Sequence, residues 1–245
     1  MTGKLRRALR EQGFAALVSR ALDGLARTLS GGRVRIVWYV LVAQPVRPQA
    51  RVPARLGRDI ATRLVAAGDP LLAQAPRPAA VIDDRFAQGA LCFGAERGGS
   101  LAGFLWICPS RYVEDDVRCV YVLPPTGDAW WDFDVWVTPD QRNGIVFARL
   151  WGAAHEHLRG AGARWTCSRI VRHNTSSIAA HRRLGAVTIG NALFLCGRRW
   201  QVTIARRPSF HFSRQTASMP VIPVQPPIAS ASEDQRAAPA ASGRP

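Results

Sequence analysis

Between Val135 and Val146 an apolar strand runs directly into a polar turn and then into a helix, an arrangement typical of α/β proteins. The first backbone N–H groups of a helix have no partner within it, and the positive end of the helix dipole lies behind them. Pyrophosphate binds at such a junction when a small residue allows close approach. Gly144 is a residue of that kind, and Gln141 and Arg142 lie beside it, so the sequence predicts an anion site at this turn.

A second segment of the same kind follows, where a strand from Arg169 leads into a short helix that stops at Gly185. Together the two segments resemble the GNAT superfamily of acyl-CoA-dependent N-acyltransferases. The first resembles the family's V-x-P followed by its Q/R-x-x-G-x-G/A pyrophosphate loop, matched by Val137, Pro139, Gln141 and Gly144. The second resembles its N-x-x-A/S-x-x-x-Y-x-x-x-G-F motif, matched by Asn174, Ser177 and Gly185.

The resemblance covers roughly residues 80 to 204 and rests on the order and spacing of both motifs. It implies a GNAT-like α/β fold with a mixed, mostly antiparallel central sheet flanked by helices. It also implies acetyl-CoA as the acyl donor, with no metal, and a strand Trp130–Val137 that splays from its neighbour Arg164–Val171 to bind the acyl carbonyl and the pantetheine arm. The expected cofactor-binding residues are Val135, Trp136, Val137, Gln141, Arg142, Asn143, Gly144, Ile145, Val146, Asn174 and Ser177.

Two carboxylates lie on the strand before the loop. Strict alternation would place Asp132, Asp134 and Trp136 on one face and Phe133 and Val135 on the other. One interpretation is that an Asp removes a proton from the incoming ammonium, directly or through water, with a pKa raised by burial and by its neighbour. The alternative is a half-exposed strand whose carboxylates pair with nearby arginines.

His181 stands where the family often places a tyrosine that acts as general acid. An imidazolium can protonate a leaving thiolate near neutral pH, so the sequence predicts that role for His181. The alternative is a solvated surface histidine beside Arg182 and Arg183. His155 and His157 occupy helix positions that look exposed and are expected to be structural.

Some of these residues also have simpler interpretations. Asn174 opens a helix and could be its N-cap, a role compatible with contact to the pantetheine arm. Arg142 could contact phosphate or be solvated. The aromatic residues near the strand could line an acceptor cleft, although the core is their commoner place: Trp130, Trp131, Trp136 and Tyr121.

Three regions are expected along the chain. Residues 1–32 form a basic amphipathic helix, spanning 4–29, that packs on the catalytic domain or a second subunit, or else lies on an anionic membrane. Residues 33–205 form the GNAT-like domain, and residues 206–245, rich in Pro, Ala and Ser, are expected to be disordered. Within the domain the patterns predict a strand at Val34–Gln44 and helices at Arg55–Ala67, Ala79–Gln88 and Gly144–Arg159. They also predict two pairs of strands: Ala90–Ala95 with Leu101–Cys108, and Val117–Leu123 with Trp130–Val137.

Composition indicates the binding partners and the cellular compartment less specifically than the two motifs indicate the family. The net charge of +16 would suit nucleic acid or an anionic membrane, but Lys4 is the only lysine and the arginine-heavy usage resembles a GC-rich coding bias, so no specific nucleic acid is expected. The five cysteines lie singly in apolar segments, which favours buried reduced thiols. The expected location is cytoplasmic, with a peripheral position at the inner face of the membrane as the alternative.

The sequence therefore predicts an N-acetyltransferase that moves an acyl group, most simply acetyl, from coenzyme A to a primary amine by direct attack on the thioester. A non-catalytic module that binds acyl-CoA or a partner is the main alternative, because Val146, His181 and Ala186 replace the family's usual Gly/Ala, Tyr and Phe. A basic binder of membrane surfaces or nucleic acid, acting through the amino-terminal helix, is the second alternative.

Overall fold

The computed structural model describes residues 13–47, 56–142, 144–214 and 218–227. Its helices are α1 (Phe14–Leu29), α2 (Ala79–Ala87), α3 (Ile145–Gly160) and α4 (Thr175–Arg183). The longer strands are β1 (Arg35–Pro45), β2 (Ile60–Val65), β3 (Leu91–Arg97), β4 (Ser100–Pro109), β7 (Ala129–Val137), β8 (Trp165–Val171), β9 (Val187–Cys196) and β10 (Trp200–Ala205). The shorter strands are β5 (Arg111–Val113), β6 (Val120–Val122), β11 (His211–Arg214) and β12 (Val221–Pro223).

Nine of these strands form one sheet in the order β11-β10-β9-β1-β8-β7-β4-β3-β2. In this sheet β7 and β8 run parallel, and the other neighbouring strands run antiparallel. A smaller sheet has the order β12-β6-β5. The fold is therefore the mixed, mostly antiparallel α/β arrangement that the sequence predicted.

Helices and the smaller sheet cover the two faces of the large sheet. On one face, called the α3 face, Val146 and Leu150 of α3 pack with Phe93 and Leu105, and α4 packs through Ile178 on the neighbouring strands. On the other, called the α2 face, Ile82 of α2 and the smaller sheet pack on alternate residues of the same strands.

The amino-terminal helix α1 lies against β1 of its own chain. Its packed face is made of small or polar side chains, with Ala16 and Ser19 buried, and Asp23 accepts a hydrogen bond from the backbone N–H of Ile36. The expected packing on the domain is thus observed for Phe14–Leu29, whereas residues 1–12 lie outside the described part of the chain. None of the described helices is long and apolar enough to cross a membrane.

The predicted helix at Arg55–Ala67 is wrong. Residues Ile60–Val65 instead form β2, an edge strand that pairs antiparallel with β3, while residues 48–55 lie outside the described residues. Ile60 and Val65 are buried and Leu64 is exposed. Local spacing favoured a helix, but pairing with the sheet overrides local preference when an open edge is available.

The predicted pairing of Val117–Leu123 with Trp130–Val137 is also wrong. Val120–Val122 pairs with β5 and with β12, whereas β7 pairs with β4 and β8. The two segments meet face to face, because Tyr121 and Trp131 stack with ring centroids 4.3 Å apart. Tyr121 and Trp131 therefore belong to the core.

The tail is ordered in part, which corrects the expectation of disorder over residues 206–245. His211–Arg214 extends the large sheet as β11, and Val221–Pro223 runs parallel to β6 as β12. Ile222 and Val224 are buried, so apolar side chains between the prolines join the core. Prolines are tolerated there because β12 is the edge of its sheet. Residues 215–217 and 228–245 lie outside the described residues.

Candidate active site

The turn between β7 and α3 opens the helix with a glycine. Gly144 is the N-cap residue, with a φ of +91°, and it has no side chain to cap the helix. A Cβ at Gly144 would meet no heavy atom within 4 Å, so the space before the helix is open. The first-turn N–H groups of a helix lack intrahelical partners, which leaves this end suited to an anion.

Val146 leaves that surface clear, since its side chain is fully buried on the α3 face. Gly103 of β4 permits this close packing of α3 on the sheet. A Cβ at Gly103 would lie 2.7 Å from the carbonyl oxygen of Trp136 and 3.1 Å from a methyl of Val146. The valine at the family's second Gly/Ala position therefore fills the core and does not obstruct the loop.

Polar side chains hold the loop between β7 and α3 in place through hydrogen bonds. The Gln141 carbonyl accepts a hydrogen bond from Arg97, and its amide donates to Asp140 at 2.9 Å. Arg142 donates from Nε to the carbonyl oxygen of Val137 at 3.1 Å. Asn143 lies outside the described residues. Gln141 and Arg142 thus both make hydrogen bonds within the protein that hold the turn in shape.

The strands β7 and β8 part within the sheet. They pair at three positions, of which Trp131 with Cys167 is the last. Both strands continue, β7 to Val137 and β8 to Val171, but no further pair joins these described segments. The backbone of β7 beyond Trp131 is thereby released from its parallel neighbour, which is the parting of strands that the resemblance implied.

A bulge in β7 redirects the two carboxylates. Phe133 pairs with Trp106 and Trp136 pairs with Phe104, so that two residues, Asp134 and Val135, stand opposite a single residue of β4. Asp134 adopts a φ of +48°, which aspartate tolerates better than most residues. Phe133 and Trp136 consequently share the α2 face, and the strict alternation predicted for Asp132, Asp134 and Trp136 is wrong.

Asp132 is the first residue of β7 beyond the last pair with β8. It is 2% exposed, and burial raises the pKa of its carboxyl to about 7. The Thr166 and Ser168 hydroxyls oppose that rise, although neither of them nor Asp132 Oδ2 makes a hydrogen bond of normal geometry. A buried carboxyl with an unpartnered oxygen at the opening of the sheet is poised to exchange a proton near neutral pH.

Asp134 lies in different surroundings, on the α2 face. Its carboxylate accepts hydrogen bonds from Arg77 and, at 2.6 Å, from Arg85. Burial opposes ionisation, but the two guanidinium groups together hold the pKa of Asp134 below its ordinary value. A carboxylate held by two arginines is a poor proton acceptor, so the ion-pair interpretation fits Asp134 and the proposed base does not.

His181 is buried, and not solvated, on the α3 face. Its Nδ1 lies 3.1 Å from Oε1 of Gln44, and its ring meets the Trp151 indole edge-on with centroids 5.8 Å apart. Burial lowers the pKa of His181 to about 4. A general acid that depends on the imidazolium form does not fit these surroundings, because the neutral ring is the favoured species near pH 7.

The same amide of Gln44 joins His181 to His155. Gln44 Nε2 lies 3.2 Å from His155 Nε2, and burial lowers the pKa of His155 to about 4. Since an amide oxygen accepts and an amide nitrogen donates, His181 donates from Nδ1 and His155 accepts at Nε2. The expectation that His155 is exposed is therefore wrong. Gln44, on β1, connects α3 to α4 on the α3 face of the sheet.

Asn174 caps α4, as one interpretation of the sequence held. Its Oδ1 accepts from the backbone N–H of Ser177 at 3.1 Å and from the Ser176 hydroxyl at 3.0 Å. The contact between Trp151 and His181 places α4 beside α3. The two motif segments therefore lie on one face of the sheet, on either side of the parted strands.

Comparison with known proteins agrees with this geometry. A family model described as the acetyltransferase (GNAT) family matches residues 53–186, more than half of the chain. The chain belongs to the GNAT acetyltransferase family. A search of the curated proteins finds no match.

Several solved structures are similar to this chain at low sequence identity. A functionally unknown conserved protein from Staphylococcus epidermidis is 12% identical, over 71% of this chain and 66% of that one, with a TM-score of 0.47. A putative GNAT acetyltransferase from Novosphingobium aromaticivorans is 13% identical, over 66% and 65%, with a TM-score of 0.43. A GCN5-related N-acetyltransferase from Kribbella flavida is 15% identical, over 71% and 64%, with a TM-score of 0.44. The chain thus spans 66% or less of each of these chains.

The residues of this GNAT domain fit an acyl-CoA donor. The start of α3 at Gly144 suits the pyrophosphate, and the released edge of β7 beyond Trp131 offers backbone groups to an extended amide-bearing arm. Among the described residues there is no group of three His, Cys, Asp or Glu that could hold a metal ion. Five residues important to this geometry were not identified as such from the sequence: Gln44, Arg77, Arg85, Gly103 and Trp151.

Proposed function

We propose that this GNAT domain transfers an acyl group, acetyl in the simplest case, from coenzyme A to a primary amine. One observation carries the proposal: β7 and β8 stop pairing at Trp131 and Cys167, and α3 starts at Gly144, after the end of the same strand β7. An anion site and an opened strand edge in succession suit the pyrophosphate and the pantetheine arm of one ligand.

Asp132 is the residue we assign to proton transfer. The neutral amine attacks the thioester carbonyl, the carbon–sulfur bond breaks, and coenzyme A leaves as a thiolate that takes a proton from water. The incoming ammonium loses one proton to Asp132, directly or through water, and a pKa of about 7 suits that task. The nitrogen loses its second proton to water as the amide forms, and Asp132 returns its proton to solvent. Asp134 and His181 are assigned to positioning, through their bonds to Arg85 and Gln44.

Binding and turnover are measured separately to test the proposal. Acetyl-CoA should raise the melting temperature of the protein, and free thiol should appear when acetyl-CoA is mixed with a primary amine. Stabilisation without thiol release would favour the non-catalytic alternative, for which the buried, neutral His181 is the supporting observation. If neither acetyl-CoA nor longer acyl-CoAs stabilise the protein, the proposed function is wrong.

A further inference from the structure

A cavity of about 410 Å³ is lined in part by the acidic segment Glu114–Asp116. It is bounded by the turn after α1, the start of β1, the residues that follow β5, and the turn between β9 and β10. None of the residues that line it belongs to the two motif segments. We call it the arginine–carboxylate pocket, because carboxylates form one wall and arginines form the rim: Arg33, Arg118 and Arg198.

The carboxylate wall is held rigidly by the sheet. Glu114, whose side chain is fully buried, accepts two hydrogen bonds from Arg169 of β8, at 2.8 and 2.5 Å. Asp116 accepts from Arg35 at 2.7 Å and from the Tyr39 hydroxyl at 2.8 Å, both on β1. Burial raises the pKa of Glu114, and the Arg169 guanidinium opposes that rise. The wall is therefore fixed in place by charged partners on two strands.

The wall also connects the pocket to the opening in the sheet. Asp115 accepts a hydrogen bond from Arg85 at 2.6 Å, and the same guanidinium donates to Asp134 at 2.6 Å. Asp134 lies on the part of β7 that has separated from β8, and Arg169 lies on the corresponding part of β8. The pocket is thus next to the parted strands, on the face opposite to α3.

The arginine rim carries positive charge that no carboxylate of the described residues pairs with. Arg27 and Arg35, which also line the pocket, pair with Asp23 and Asp116. By contrast, Arg33, Arg118 and Arg198 form no ion pair with a carboxylate of the described residues. Guanidinium groups present planar, forked donors that suit carboxylate and phosphate oxygens. Three such groups around one cavity favour a ligand with an anionic group.

We propose that the arginine–carboxylate pocket binds the amine acceptor, and that this acceptor is a small molecule with an anionic group, a carboxylate or a phosphate, besides its amine. The rim arginines bind the anionic group, and the amine end lies toward the parted strands, beside carboxylates that are already paired with Arg35, Arg85 and Arg169. This inference rests on the proposed acyl transfer, and it assigns the acceptor to the α2 face of the sheet, opposite to α3 and α4.

Matched pairs of amines test the inference. Each pair differs in the anionic group: lysine against cadaverine, O-phosphoethanolamine against ethanolamine, and glucosamine 6-phosphate against glucosamine. We expect the anionic member of at least one pair to give a kcat/KM about tenfold or more above that of its partner. The lysine pair reports on a carboxylate, and the other two pairs report on a phosphate. Equal or better use of the amine that lacks the anionic group, in all three pairs, would overturn the inference.

Rim variants give a second, independent measurement. The triple variant Arg33→Gln, Arg118→Gln and Arg198→Gln should raise the KM of the preferred anionic amine about tenfold or more, with the KM of acetyl-CoA unchanged. The matched control Arg111→Gln, Arg159→Gln and Arg214→Gln removes the same charge from exposed positions outside the pocket. An equal rise of KM in both triple variants would mean that net charge, and not this pocket, attracts the acceptor.

Thermal stabilisation separates the two proposals. If acetyl-CoA does not stabilise the wild type, acyl transfer itself fails. If acetyl-CoA stabilises it and thiol is released, but the preferred amine stabilises the rim variant as well as the wild type, the donor proposal stands and the pocket assignment is overturned.

Discussion

Trp131 of β7 and Cys167 of β8 form the last pair between two parallel strands that both continue beyond it. A parallel ladder normally runs as far as both strands do, since each unpaired N–H or C=O group away from water is costly. Here the ladder stops within the sheet, and Asp132 is the next residue. The break in pairing and the carboxyl of raised pKa therefore occur at the same place, which is the physical basis of the first two predictions.

Asp132→Asn should lower kcat about 100-fold, which is within the range of general acid–base contributions. In the wild type the basic form of Asp132 is required, so the rate should rise with pH and level off above about 7. The variant should lose that rise. Rates measured from pH 5.5 to 9 test this, and an unchanged pH profile in the variant would remove Asp132 from the mechanism.

The same substitution should change stability in a pH-dependent way. Because the pKa of Asp132 is about 7 in the folded state and 3.8 in its ordinary state, the folded protein binds the proton more tightly. Its stabilising contribution is complete below pH 4 and is lost as the pH rises through 7. Between pH 5 and pH 8 the wild type should lose about 2 to 3 kcal/mol relative to Asp132→Asn. Urea unfolding of both proteins at the two pH values measures this difference.

The sequence predicted those parts of the site that depend on local patterns. The glycine at the start of α3 and the asparagine cap of α4 belong to short segments in which each residue acts on its neighbours. For the same reason, the central strand β1 and the hairpin of β3 and β4 agree with their apolar runs.

The roles of the carboxylates could not be predicted in this way. The bulge at Asp134 depends on the register in which β7 pairs with β4 on both sides of it, and the partners Arg77 and Arg85 precede Asp134 by 57 and 49 positions. His181 is buried because Gln44, 137 positions away, satisfies its ring nitrogen. Such contacts between distant residues determine pKa values, and a periodic pattern contains no information about them.

His181→Asn tests the buried amide network. Asparagine can still donate a hydrogen bond to Gln44. In the wild type, burial lowers the pKa of His181 to about 4, so the ring contributes stability above pH 6.5 that is lost as the pH falls toward 4. The variant has no such ring and should lack this pH dependence. Between pH 7 and pH 5 the wild type should lose about 2 kcal/mol more than the variant. His155→Asn should behave in the same direction. If the two variants follow the wild type with pH, the rings are not buried in neutral form.

Gly144→Glu tests the anion site at α3. Acetyl-CoA at a hundred times its Kd should stabilise the wild type by about 2.7 kcal/mol, a rise in Tm of about 5 to 10 °C. The added carboxylate should abolish that rise. Gly127→Glu is the matched control, since Gly127 also has a positive φ and open space around its Cβ position but lies before β7. Loss of the rise in both variants would indicate backbone strain, and retention in Gly144→Glu would contradict the site.

Asp134→Asn should act on stability and leave the pH profile of the rate unchanged. Asp134 is bonded to Arg77 and to the buried Arg85, so the substitution leaves buried positive charge incompletely compensated, at a cost of about 3 kcal/mol near pH 7. The pKa of Asp134 is lowered, so this difference from the wild type should shrink as the pH falls through the range in which the carboxylate is protonated. Asp59→Asn, which breaks the exposed pair with Arg97, is the control and should change the stability much less, because solvent screens that pair. A flattened rate profile in Asp134→Asn, with stability kept, would reassign the base from Asp132 to Asp134.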